Sequence, residues 1–316
     1  MLELRPLLAE AGYRPDEPVV VGLDTAGAIV LSASAGERLG PDTVSYTASL
    51  AKQFTGACAA LLVRQGRLDI EAPLARWLPH LPEWAQHVRV RHLLHHTAAL
   101  PAEPRILAAM RAAGEADRTS QGMLAALATC PTLPGIPGRE DAYSNVGYVC
   151  LAAVLERAAR EPLATFAHRH VFTKLNMTRT GFWSGPAPAP PGATPLPARP
   201  APLSVGDGGL WSTVRDLLRW NRALHTDELG ISALLHTTGR LDDGTALDYG
   251  WGVAIREHDG CVVHSHGGAW PGLTSKLVRV PATGRSMAVI ALADGVDRMV
   301  TLTDRLLDLL AGGVGR

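Results

Sequence analysis

The chain has 316 residues, enough for a large core shared between two lobes. Apolar residues make up 47% and charged residues 19%, and 30 basic side chains balance 30 acidic ones. That balance leaves no electrostatic footprint for nucleic acid or an anionic membrane, so the expected partner is a small-molecule substrate.

Residues Met1 to Leu8 include Glu3 and Arg5 and show no basic start followed by an apolar leader. No apolar run approaches the roughly 18 residues of a membrane span. A cytoplasmic protein is therefore expected. The four cysteines, Cys58, Cys130, Cys150 and Cys261, are irregularly spaced and fit neither a disulfide framework nor a zinc site, so they read as free thiols.

In chain order, Leu2 to Ala11 reads as a short helix. Val19–Leu23 and Ala28–Leu31 read as two strands joined by a tight turn. Ser49 to Arg64 is a strong helix, with Phe54, Cys58, Leu61 and Leu62 on one face and Gly66 placed for a left-handed C-cap. From about 67 to 180 the pattern is mainly helical, notably in 90–96, 121–130 and 145–159. Residues 185–203 hold eight prolines and exclude regular helix or a central strand. They read as a surface linker or as a wall over a cleft. Thr213 to Leu224 is helical. Runs at 251–256, 261–264, 273–280 and 287–292 suit an antiparallel meander, and 296–310 is a closing amphipathic helix. The expected class is α+β. One α/β lobe (1–66 and 205–316) has a central antiparallel sheet built from both chain ends, and a mainly helical lobe (67–204) is inserted between them.

Only three of the 30 basic residues are lysines: Lys52, Lys174 and Lys276. Lys52 lies three residues after Ser49, on the same face of a helix start. A serine there has the positive end of the helix dipole and free backbone N–H groups beside it. Its hydroxyl needs a neighbour to take its proton, and a lysine can do so when its amine is neutral for part of the time. Arginine cannot serve, because it stays protonated. Ser49 and Lys52 thus read as nucleophile and base, against the plainer reading of a helix-start serine and a solvated lysine.

Two further segments add to the pair. In Tyr143-Ser144-Asn145, a phenol hydrogen-bonded to the lysine amine can relay protons, and the carboxamide can orient lysine and substrate. Taken alone, Tyr143 reads first as a half-buried packing aromatic. In His264-Ser-His-Gly-Gly-Ala-Trp-Pro-Gly272, Gly267 and Gly268 allow a substrate to lie against a strand, and the Ala269 N–H can join that of Ser49 as an oxyanion hole.

Ser49-Leu-Ala-Lys52, Tyr143-Ser-Asn145 and His266-Gly-Gly268 stand in the order of the penicillin-recognising serine hydrolases. The chain resembles their class C β-lactamase-like branch, which includes family VIII esterases, D-aminopeptidases, DD-peptidases and transesterases. Residues 91–101, 175–182 and 208–216 also resemble landmarks of that group, so the resemblance covers nearly the whole chain. It implies a β-lactamase/transpeptidase-like fold with the cleft between two lobes. It also implies Ser49 as the acylated nucleophile, Lys52 and Tyr143 sharing acid/base work, Asn145 positioning substrate, and His266 lining the third wall with Gly267 and Gly268. No cofactor or metal is expected.

The third motif departs from the usual Lys-Thr-Gly or His followed by a hydroxyl residue. Without that ammonium and hydroxyl, weak binding of penicillins and of free peptide C-termini is expected, and an ester or neutral amide is favoured. Acyl transfer in small-molecule biosynthesis, D-amino-acid peptidase or β-lactamase activity, and an acylatable sensor remain the alternatives. His92, His95 and His96 lack the acidic residue and spacing of a catalytic zinc site.

Overall fold

A computed structural model describes residues 4–26, 28–33, 39–115, 117–185 and 189–311. Its main sheet follows from strands apolar on both sides. Val19–Asp24 (β1), Leu273–Val280 (β8) and Arg285–Ala291 (β9) are buried almost throughout and occupy the centre, while the half-exposed Ile29–Ala33 (β2) lies at an edge. With Ala254–His258 (β6) and Cys261–Trp270 (β7), the order is β2-β1-β9-β8-β7-β6, with every neighbour antiparallel. The sheet therefore joins both ends of the chain. A three-stranded sheet of Ser45–Tyr46 (β3), Gly181–Phe182 (β4) and Leu210–Ser212 (β5), in the order β3-β5-β4, has runs too short to show a period in sequence.

Leu4–Glu10 (α1) and Val296–Ala311 (α11) cover one face of the main sheet. Leu4, Leu8, Leu302 and Leu306 pack there against Val19, Val21, Met287 and Val289. The other face meets Val214–Thr226 (α9), and Ala51–Arg64 (α2) belongs to the core cluster on that side. Helix α2 is buried on every side, from Ala51 to Leu62, which is why its apolar residues run round the helix and not along one stripe. Gly66 takes φ +66°, the expected left-handed C-cap. Between the sheet-forming parts run Leu74–Trp77 (α3), Val90–Leu94 (α4), Glu103–Ala112 (α5), Ser120–Ala128 (α6), Asn145–Ala159 (α7) and Leu163–Ala167 (α8), with Ser232–Leu235 (α10) after α9. Cys58 and Cys150 are free and fully buried in α2 and α7.

Two sequence readings shift. The strand expected at 251–256 starts only at Ala254. Trp251 and Gly252 are held against α2 instead: a Cβ on Gly56 would strike Trp251 O, and one on Gly252 would strike the backbone carbonyl of Lys52. Strand β7 runs on to Trp270, beyond the end of β6, so its last residues from His266 pair only with β8 among the named strands. In the described part of 185–203 no helix or strand forms. That segment docks on the β7–β8 turn, where Trp270 Nε1 donates to Pro200 O (3.0 Å) and the Arg199 guanidinium stacks on the Trp270 ring. Among the described residues no helix is long and apolar enough to cross a membrane.

Candidate active site

Ser49 does not sit in the first turn of α2 but on a 3-10 turn, Ala48–Leu50, that feeds it. Strand β3 delivers this turn through its pairing with β5. Thr47 clamps the turn: its N–H and hydroxyl both donate to Leu210 O (3.0 and 2.9 Å), and its carbonyl accepts from Ser275 Oγ on β8 (2.9 Å). Ala48 is forced to φ +48°, a left-handed conformation that costs a residue with a Cβ about 1–3 kcal/mol. Ala48 and Leu50 are buried, and Ser49 between them is only half-buried. Gly268 is needed on the other side, since a Cβ there would run into Thr47 O and Ser275 Oγ. Gly267 has no such constraint.

Lys52 is 0% exposed. Its Nζ lies 3.2 Å from Ser49 Oγ, 2.8 Å from Asn145 Oδ1 and 2.8 Å from the backbone carbonyl of Asp207. All three partners are uncharged. Asn145 opens α7, where Ser144 caps the helix by accepting from the Gly147 N–H (3.0 Å). The other end of its amide donates to Glu103 Oε2 (2.6 Å). Glu103 and Asp207 are both gripped by Arg118, at 2.6 and 2.5 Å, and Ser204 Oγ donates to Asp207 Oδ1 at 2.9 Å. The two carboxylates hold Arg118 firmly in its charged form. They are thereby committed to arginine and do not form an ion pair with Lys52.

Tyr143 is 54% exposed and stands over the site. Lys52 Nζ is 4.8 Å from its ring centroid, and the phenol oxygen bonds no described residue. The expected phenol–amine hydrogen bond is thus replaced by a contact between the amine and the ring. His96 explains the ring's position: it packs at tilted angles against Tyr143, Tyr148 and Tyr249 (ring centroids 4.4, 5.1 and 4.7 Å away), and its Nδ1 accepts from the Ser144 N–H (3.1 Å). His266 lies beneath this stack. Its Nε2 is 2.9 Å from Tyr249 Oη and its Nδ1 2.7 Å from Gly267 O. Burial, helped by the nearby Lys52 charge, lowers its pKa to about 3, so the ring is neutral at physiological pH.

Ser49, Tyr143, Asn145, Gly267, Gly268 and Ala269 share one open cleft of about 380 Å³. His266 backs it from below and is not among the lining side chains. The remaining wall comes from Thr274, Ser275 and Lys276 on β8 and Val296, Met299 and Val300 on α11. The three histidines at 92–96 have separate partners. His92 Nδ1 accepts from the Arg89 N–H, His95 Nδ1 lies against Tyr249 O, and His96 joins the aromatic stack.

Sequence reasoning missed Glu103, Arg118, Asp207, His96, Ser275 and the lining role of Lys276. For Lys276 a signal existed, namely lysine's rarity in this chain. The others lie in segments with no catalytic pattern of their own.

The fold and the arrangement define a class: an α+β chain of β-lactamase/transpeptidase type with a Ser-x-x-Lys pair at the mouth of a helix. Residues 15–311 match the Beta-lactamase family, and the chain belongs to it. Penicillin-binding protein 4* of Bacillus subtilis (strain 168) is 29% identical over 262 residues, covering 73% of this chain and 57% of that protein. Esterase EstB of Burkholderia gladioli is 32% identical over 195 residues, covering 55% of this chain and 47% of the esterase. The chain thus spans about half the length of these two relatives. Among solved structures, a D-stereospecific amidohydrolase from Streptomyces sp. superposes with a TM-score of 0.81 at 20% identity, covering 98% of both chains.

Proposed function

We propose that this protein is a serine hydrolase that forms an acyl-enzyme on Ser49 and cleaves an ester or amide of a small molecule. The observation that carries this reading is the Lys52 amine 3.2 Å from Ser49 Oγ, buried and without a carboxylate partner among the described residues. Once the amine is neutral, two of its hydrogens serve Asn145 Oδ1 and Asp207 O, which can only accept, and its lone pair is left for the Ser49 hydroxyl. Lys52 takes the serine proton as Ser49 Oγ attacks the carbonyl carbon. The Ser49 and Ala269 N–H groups receive the developing oxyanion. Tyr143 Oη, which bonds no described residue, donates the proton that the leaving group needs, and the Lys52 proton replaces it once the exposed ring swings its hydroxyl to the amine. Water then releases the acyl group by the same steps reversed.

Esterase and amidohydrolase activities among the relatives support this reaction type. The test is direct. Ser49→Ala should abolish hydrolysis of 4-nitrophenyl esters and labelling by a fluorophosphonate, with the melting temperature nearly unchanged. Wild-type turnover by the purified variant would end the proposal, and labelling without turnover of any ester or amide would favour an acylatable sensor.

A further inference from the structure

We infer that the cleft recognises a carboxylate on its substrate through Lys276, with an apolar segment of the same molecule lying on α11. The inference rests on the proposed function for the position of the reacting carbonyl, and it adds a demand elsewhere on the molecule.

Lys276 is one of three lysines in a chain whose other 27 basic residues are arginine. It sits on β8 directly across from Gly267, in register within the β7–β8 ladder. The lysine stem lies across the strand at Gly267, where a Cβ would stand in ordinary contact, 3.7 Å from Lys276 Cδ. Lys276 lines the same cleft as Ser49. Among the described residues it forms no hydrogen bond or ion pair, although this chain pairs many of its arginines with carboxylates. No acidic side chain lines the cleft. Asp304 on α11 and Arg256 act on it only through longer-range charge, with opposite signs, so the ammonium has no described anion at hydrogen-bonding distance and a ligand carboxylate can fill that position, since charge-assisted hydrogen bonds are the strong ones. Burial also lowers the lysine pKa, a cost that a bound anion would relieve.

Beside it, Val296 (56% exposed) and Val300 (42%) on α11 are two of the few large apolar side chains left open to solvent, and both line this cleft with Met299. The third motif, His266-Gly-Gly268, offers neither ammonium nor hydroxyl, and His266 is neutral. The structure supplies the ammonium from the next strand.

Two matched substrate pairs test this. 4-Nitrophenyl pentanoate against 4-nitrophenyl hydrogen glutarate places the charge on the acyl side. Phenyl acetate against 3-acetoxybenzoate places it on the leaving group. In at least one pair the charged ester should be favoured about tenfold or more in kcat/KM. Lys276→Met should collapse that ratio toward one, and Lys276→Arg should retain most of it. Equal kcat/KM in both pairs, or a preference that survives Lys276→Met, overturns the inference. Calorimetric titration of Ser49→Ala with the same four compounds reads the discrimination without turnover. Absence of ester hydrolysis therefore counts against the proposed function alone, whereas equal affinities count against the carboxylate.

Discussion

On the outer face of the main sheet, Leu4, Leu8, Val21, Val289, Leu302 and Leu306 are buried in an apolar cluster between the strands and helices α1 and α11. Around Ser49 the side chains are as deeply buried but polar: Lys52, Asp207 and His266, with Arg118 and Glu103 close behind. The outer layer needs apolar volume at the right spacing, and a neighbour of similar size can replace most of it. The site needs each donor matched to a particular acceptor, because an unmatched polar group there costs more than a lost contact. One region is tolerant in chemistry and sensitive in volume; the other is the reverse.

The largest expected effect comes from breaking the outer layer. Leu302→Ala removes a fully buried side chain and should cost about 2–5 kcal/mol in urea unfolding. At a temperature where the variant is folded, its esterase kcat/KM should stay within about twofold of wild type. A large loss of activity from the folded variant would show that the two regions are coupled.

The reverse case is Glu103→Ala. It frees the Asn145 amide to turn and leaves Arg118 with one carboxylate in place of two. Loss of about 10²-fold in kcat is expected, as for other displacements of a reacting group. Glu103→Gln, which keeps an oxygen for the Asn145 N–H, should recover much of that loss. Equal damage from both variants in thermal melts, with kcat intact, would reduce Glu103 to a structural role.

The smallest effect is a pH dependence of stability centred on the cleft side. Burial lowers the pKa of His92 to about 4 and of His266 to about 3, and holds His96 well below its ordinary value. Among the described residues, His92 Nε2 and His96 Nε2 have no hydrogen-bond partner that could accept from an added proton. The unfolded chain binds protons on these residues near pH 6.5 while the folded chain does not. Their contribution is therefore fully present above pH 6.5 and declines as pH falls toward 4, by up to about 1.4 kcal/mol per histidine per pH unit. Melting temperatures measured from pH 8 to pH 4.5 should be flat at first and then fall. A curve level down to pH 4.5 would mean that these rings accept protons in the folded state.

Much of the architecture was legible because it is periodic. Helix α7 begins and ends where its apolar repeat does, at Asn145 and Ala159, and β8 coincides with the run 273–280. Strands β3, β4 and β5 were not legible, because two or three residues show no period. Trp251 and Gly252 look like strand but pack on α2, because Gly56 leaves room for them.

The sequence by itself pointed to the pairing of Ser49 with Lys52, since residues three apart in a helical turn fall on one face, although the turn itself is held by contacts of Thr47 with Leu210 and Ser275. It also determined that Asn145 opens a helix, and that glycines stand where a strand passes close to the nucleophile. Only the tertiary structure decided what surrounds them. Glu103, Arg118 and Asp207 are far apart in the chain, and the Tyr143 ring is set by a histidine 47 residues away in sequence (143 − 96). Lys276 acquires its place in the cleft only when β8 pairs with β7. Contacts between distant segments depend on how helices and strands pack, and no local spacing encodes that packing.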